Sequence, residues 1–305
     1  MKLSLVSKPA LIKMLYLGYS GEGKSTSLVP LGIPGYLDNP GYELRILDFD
    51  GKAEEVIRAT LARLLKDKLI TQAQHDTGLA ENYDVVPCIE RTGIIQAREG
   101  KNTVKKLGVE GVATAWQTAV KQLEKWNSSW SPRTVLVIDS LTYATRAIVN
   151  YTQDLNNKLN QTLEWRDYNS PQQLVESLMM LCADLPTHVI VCGHQDPLEI
   201  YKASDAVDDK GNQVQELIDT LMVPISIGKG GRMKLPARFN HLLVASSDGK
   251  GAAVRRYVYT ESRVGVVTKT PFYGLCKPFY PLDKAFVEYF KLGGQSTTNA
   301  VTSQG

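Results

Sequence analysis

Apolar residues fall in short runs bounded by glycine, proline and acids, and these runs alternate with stretches of helical spacing. Residues 11–17 form a compact apolar run between Pro9 and Gly18. Such a run, set before a glycine-rich turn, predicts a buried strand. Residues 44–49 predict a second strand. Across 52–68, Val56, Ile57, Leu61, Leu64 and Leu65 recur at helical intervals. A strand is expected over 83–89 and a helix over 112–126, where Trp116, Val120 and Leu123 share a face. Residues 134–138 are almost purely apolar and β-branched, with Pro132 just before them. That pattern predicts a central parallel strand covered on both faces. A helix over 171–185 leads into another such strand at 188–192.

Strand and helix signals in alternation predict an α/β fold with a mostly parallel, doubly wound sheet. From Arg238 the texture changes. Short strands over 241–245, 255–259 and 264–268 are separated by turns such as Ser247-Asp248-Gly249-Lys250-Gly251. They predict antiparallel C-terminal hairpins appended to the sheet over 238–270. The expected organisation is an extension over 1–10, one domain over 11–292, and a small, polar, disordered tail over 293–305.

The composition narrows the class. Of 305 residues, 43% are hydrophobic and 22% charged, which excludes a wholly disordered or collagen-like chain. Cys88, Cys182, Cys192 and Cys276 form no CxxC pair, so a structural zinc site is not expected and a reducing compartment is. No apolar run approaches the roughly 18 residues of a membrane helix. Residues 1–10 lack the apolar core of a secretory signal. The expectation is a soluble, cytoplasmic protein without a membrane partner.

Chemistry concentrates first at Gly18-Tyr19-Ser20-Gly21-Glu22-Gly23-Lys24-Ser25, which satisfies G-x-x-x-x-G-K-[ST] in full. Glycines let the backbone turn tightly and aim successive N–H groups at an anion. The following helix is expected to add its positive end. Lys24 brings a charge to the β and γ phosphates, the Ser25 hydroxyl ligates Mg²⁺, and Thr26 contacts the next phosphate toward the nucleoside. The competing reading, a chance glycine turn, does not explain the strand before the loop and the helix-competent stretch after it.

Asp139 ends the run Val135-Leu136-Val137-Ile138. At the carboxyl edge of a strand adjacent to the loop's strand, it would hold the metal's water shell. Its plainer reading is a turn cap. Arg45-Ile46-Leu47-Asp48-Phe49-Asp50-Gly51 places two acids on one face of a strand end. Asp50 is the candidate base or water-orienting acid and Asp48 the second choice, against the reading of a turn carboxylate. A third strand ends in Gly193-His194-Gln195, where Gln195, and His194 in a suitable tautomer, can donate to a γ phosphate. His75, His188 and His241 show no ligand spacing.

Taken in order, Gly18 to Ser25, Ile46 to Asp50, Val135 to Ser140 and Ile190 to Gln195 resemble the RecA-like branch of P-loop ATPases. The set is most similar to phage-encoded ATP-binding proteins that include single-strand annealing recombinases with a reduced RecA core. Leu235-Pro236-Ala237-Arg238-Phe239-Asn240 resembles a segment of those phage proteins. The resemblance implies that Asp50 activates water, where the family usually has the longer Glu, and that Gln195 is the γ-phosphate switch. It also implies ATP as substrate with Mg²⁺, single-stranded DNA as partner alongside other replication or recombination proteins, and a homo-oligomer or filament.

Charge bears on that expectation. The net charge is only +3, but residues 228–269 carry nine bases against two acids. Lys229, Arg232, Lys234, Arg255 and Arg256 are candidate phosphate contacts, and Tyr257, Tyr259 and Phe272 candidate stacking faces. A solvated sheet face, or arginines reaching a neighbouring subunit's nucleotide, are the competing readings. Residues 196–220 hold seven acids and two lysines and would repel DNA, which suggests a lid or a protein-docking loop. Residues 156–171, with Lys158, Trp165, Arg166 and Tyr168, are the expected DNA-proximal loop. The rival functions are a nucleotide-gated binding module with negligible turnover and a helicase or packaging motor.

Overall fold

A computed structural model describes residues 11–99, 102–162, 164–207, 213–226, 234–248, 254–262, 267–272 and 274–302. The first apolar run is β1 (Lys13–Leu17), followed by the glycine loop and a five-residue helix, α1 (Lys24–Leu28). Then come β2 (Glu43–Asp48), α2 (Ala53–Lys66), α3 (Gln72–Glu81) and β3 (Tyr83–Pro87). A ribbon of β4 (Thr92–Glu99) and β5 (Asn102–Val109) precedes α4 (Ala115–Trp126), β6 (Thr134–Asp139), α5 (Leu141–Leu155), α6 (Asn169–Asp184) and β7 (His188–Gly193). A second ribbon, β8 (Gln195–Val207) and β9 (Gln213–Pro224), leads to β10 (His241–Asp248), β11 (Arg255–Tyr259), β12 (Phe279–Pro281) and α7 (Ala285–Thr302).

Eight strands form one sheet in the order β12-β11-β10-β1-β7-β6-β2-β3. From β10 to β3 neighbours run parallel, and β11 and β12 are antiparallel. The period of two explains why the strands read as continuous apolar runs: both faces are covered. Met14, Tyr16, Val135, Val137, Ile190 and Cys192 face α2 and α7, packing with Ile57, Leu61, Phe286 and Phe290. Leu15, Leu17, Leu136, Ile138, Val189 and Val191 face α4, α5 and α6, packing with Trp116, Ile148 and Met179. Each fully buried aliphatic side chain contributes about 1.5–3 kcal/mol.

Several expectations change here. Strand β7 lies between β1 and β6, so the strand carrying Asp139 is not adjacent to the loop's strand. Residues 241–245 were expected in an antiparallel hairpin, yet β10 pairs parallel with β1 on one side and antiparallel with β11 on the other. Residues 263–266 of the expected last hairpin lie outside the described residues, and Lys269 bridges antiparallel to Leu242. The acidic stretch 196–220 falls largely in the β8–β9 ribbon rather than a loop. Its alternating Leu198-Glu199-Ile200 suits a strand, a signal masked by its charge. Helix α7 continues to Thr302 across most of the expected tail; a helix nucleated by a docked first turn propagates cheaply.

Helices α3 and α5 and the β4–β5 ribbon were not anticipated. Helix α3 starts with a capping box, Thr71 accepting from the Gln74 N–H while Gln74 accepts from the Thr71 N–H. At the amino edge of the sheet, His188 and His241 open β7 and β10 and so flank β1. Both are buried against α7, where His241 Nδ1 meets Tyr289 Oη at 2.7 Å. The opposite, carboxyl edge carries the glycine loop. No helix among the described residues is long and apolar enough to cross a membrane.

Candidate active site

The loop begins where β10 leaves no room for a side chain: a Cβ on Gly18 would sit 2.9 Å from that of Ala245. Gly21 and Gly23 both adopt φ of +83°, a backbone state that L side chains rarely tolerate. Lys24 is buried, and its Nζ donates to the carbonyls of Gly18 (2.8 Å) and Tyr19 (2.9 Å). Burial lowers its pKa, opposed by several anionic neighbours that include Asp139, Glu22 and Asp50. The helix after the loop was expected to add its positive end. Helix α1 is only five residues long and passes into a 3-10 turn at Pro30, so the loop amides carry most of that role. Tyr19, Ser20 and Gly21 are exposed, while Glu22, Gly23 and Thr26 are half-buried.

Although β7 separates the two strands, the loop reaches across it. Ser25 Oγ donates to Asp139 Oδ2 at 2.5 Å. Asp139 is pushed up to about 6, first by burial and then by Asp48 and Asp50, with Ser25 and Lys24 pulling the other way. Its backbone carbonyl accepts from the N–H groups of Phe49 (2.6 Å) and Asp50 (3.3 Å), which stitches the ends of β6 and β2 together. The Asp139–Ser140 peptide is cis.

The two acids after Leu47 separate clearly. Asp48 is buried, and its carboxylate accepts from the N–H groups of Asp50 (3.1 Å), Gly51 (2.8 Å) and Ala53 (2.8 Å). It organises the turn and the start of α2, which removes it as the second-choice base. Asp50 lies in the bend beyond the strand, half-exposed, 3.9 Å from Lys52 Nζ. A pair this long and this wet is worth little, so the Asp50 carboxylate remains available.

His194 and Gln195 follow β7 at the same edge. The His194 N–H donates to Thr142 Oγ1 (3.2 Å), and its ring meets Tyr143 edge-on. Its pKa is lowered by burial and then by Lys24, with Asp50 opposing, so it feels both ends of the site. Gln195 is buried, and its Oε1 has no hydrogen-bond partner among the described residues. Ser25 and Asp139 offer hard oxygen donors, and no group of three His, Cys, Asp or Glu able to hold a metal occurs among the described residues. Two protein oxygens, completed by phosphate and water, is the way Mg²⁺ is usually held.

The basic block divides. Lys229 and Arg232 lie outside the described residues. Lys234 and Arg255 are exposed. Arg256, expected on a nucleic-acid face or in a neighbour's site, lies on its own chain's loop, with Nε donating to the Gly21 carbonyl at 3.1 Å. Sequence reasoning saw its charge and missed its place, because nothing local says that β11 reaches the loop. In the stretch 156–171, Lys158 pairs with Asp167 and Arg166 with Glu164, each at 2.9 Å, so its cations are largely neutralised within it.

A phosphate loop after the first strand of a mostly parallel sheet, facing acids at the ends of two further strands, defines a RecA-like P-loop ATPase. The chain belongs to the AAA_24 family, an AAA domain, whose profile matches residues 10–272. No curated protein matches its sequence significantly. Among solved structures it is similar to a KaiC-like protein from Pyrococcus horikoshii OT3, with 12% identity and a TM-score of 0.39 over 88% of this chain and 84% of that one. It is also similar to the flagellar accessory protein FlaH from Methanocaldococcus jannaschii, at 9% and 0.41 over 88% and 85%. A third is an ATPase of the type III secretion system of pathogenic bacteria, at 14% and 0.38 over 77% and 52%.

Proposed function

We propose that this ATPase couples Mg·ATP turnover to binding and annealing of single-stranded DNA, as an oligomer or filament in the setting of phage recombination. The observation that carries the nucleotide half is the 2.5 Å bond from Ser25 to Asp139 beneath the loop, with Lys24 and Asp50 close enough to act on the same field. In this reading ATP lies on Gly18 to Thr26, and Lys24 exchanges the Gly18 and Tyr19 carbonyls for β and γ phosphate oxygens. Ser25 and Asp139 would hold Mg²⁺, which would supply charge neutralisation at the phosphates. Asp50 accepts a hydrogen bond from the attacking water and aims it at the γ phosphorus. Buried Gln195, whose Oε1 has no partner among the described residues, stands at the root of the β8–β9 ribbon and responds to loss of that phosphate.

Support for the DNA half is the basic balance of residues 228–269, with Lys234 and Arg255 exposed. The likeness of Leu235-Pro236-Ala237-Arg238-Phe239-Asn240 to a segment of the phage proteins is what suggests the annealing role. The test is phosphate release with and without single-stranded DNA, together with pairing of complementary strands. Turnover raised by DNA and accelerated pairing are expected. DNA-independent turnover with no binding at low salt would remove the DNA half. ATP-driven unwinding of a duplex would replace annealing by a motor.

A further inference from the structure

Three consecutive residues at the crown of the phosphate loop are each touched by the antiparallel edge of the sheet. The Gly21 carbonyl accepts from Arg256 Nε at 3.1 Å. Glu22 Oε1 accepts from Ser247 Oγ at 3.2 Å. A Cβ on Gly23 would come within 2.7 Å of Leu282 Cδ2 and 3.2 Å of Arg256 Cδ. These contacts come from one patch: Ser247 and Arg256 face each other across β10 and β11, and the Leu282 N–H donates to the Arg256 carbonyl at 3.3 Å.

Peptide geometry gives the patch a consequence. In a trans peptide the carbonyl of one residue and the N–H of the next point in opposite directions. Holding the Gly21 carbonyl outward therefore aims the Glu22 N–H inward. That N–H makes only a long bond, 3.4 Å, to the Tyr19 carbonyl, which also accepts from Lys24. With φ of +83° on both sides of Glu22, at Gly21 and Gly23, the loop is where a peptide flip meets least steric resistance. The guanidinium also sets a positive charge beside the site of a polyphosphate.

We propose that Arg256 is a positioning residue acting in cis: it clamps the Gly21–Glu22 peptide so that the loop is shaped for ATP before ATP arrives. Ser247 and Leu282 complete the clamp. Arg256 is then neither a trans-acting finger nor primarily a nucleic-acid contact. The clamp is a property of ground-state binding, so its loss falls on KM and leaves kcat in place.

The test is steady-state phosphate release by the full chain at low ionic strength without DNA, with thermal melts of each variant. Arg256→Met keeps the aliphatic stem and removes the charged donor; KM for Mg·ATP should rise about tenfold, as expected for one charge-assisted hydrogen bond, with kcat within twofold. Arg256→Lys should recover part of that loss. Ser247→Ala, an independent variant on the other strand, should raise KM about threefold. Arg58→Met, an exposed arginine on α2, should behave as wild type. Three results would overturn the proposal: an unchanged KM in both Arg256→Met and Ser247→Ala, a fall in kcat at constant KM, or rescue of Arg256→Met by mixing with a Lys24→Ala chain that supplies the arginine in trans.

Discussion

At the scale of single residues, the division of labour between Asp48 and Asp50 is the sharpest outcome. Both sit at one strand end, but three backbone N–H groups claim Asp48 while Asp50 keeps its carboxylate. Asp50→Asn should therefore lower kcat by roughly 10²–10⁴-fold, the range for a positioned acid or base, with KM and unfolding free energy nearly unchanged. Single-turnover phosphate release checks this, and unaltered turnover would end the assignment. Asp48→Ala should do the opposite first. It leaves three donors at the start of α2 without their acceptor and should cost about 2–4 kcal/mol in urea unfolding, with activity lost through a displaced Asp50.

Elements carry a different kind of prediction. Strands β7 and β10 begin with buried histidines packed on α7. Burial pushes His241 down to about 3, helped by His188 and Lys269. Burial also pushes His188 down to about 4, against a hydrogen bond to the Pro132 carbonyl that favours the charged form. Both folded values lie below the unfolded value of about 6.5, so the unfolded chain binds more protons as pH falls. Stability is full above about 6.5 and drains away toward pH 4. Each histidine should account for about 2 kcal/mol lost between pH 7.5 and pH 5. Thermal melts of His241→Gln across that range should show a flatter slope than wild type. An identical slope would mean that the folded state does not depress His241.

For the whole molecule, the carboxyl edge of the sheet gathers the nucleotide chemistry, while exposed cations stand at Arg255 on the antiparallel edge and at Lys234 in the turn before β10. If DNA lies over these cations, affinity should fall steeply between 50 and 200 mM salt, with a slope near 0.7 per neutralised phosphate for a single strand. Neutralising Lys234 and Arg255 together should reduce the slope by about 1.4. Fluorescence anisotropy with an oligothymidine reads it. An unchanged slope would move the DNA elsewhere. Arg256 is left out of that variant because its removal would disturb the phosphate loop as well.

The phosphate loop, the apolar strand ending in Asp139 and the alternating element order are determined by the amino-acid sequence alone. Their physical demands fall on contiguous residues: glycine where φ is positive, and unbroken β-branched runs where a strand is buried on both faces. Strand order is another matter, because a period of two says which face a residue takes and not which strand lies beside it. Tertiary structure alone inserted β7 between β1 and β6, joined Ser25 to Asp139 across 114 residues, and laid Arg256 on Gly21 across 235. It also drew Asp48 away from chemistry, since only the folded turn shows which backbone donors lack an acceptor.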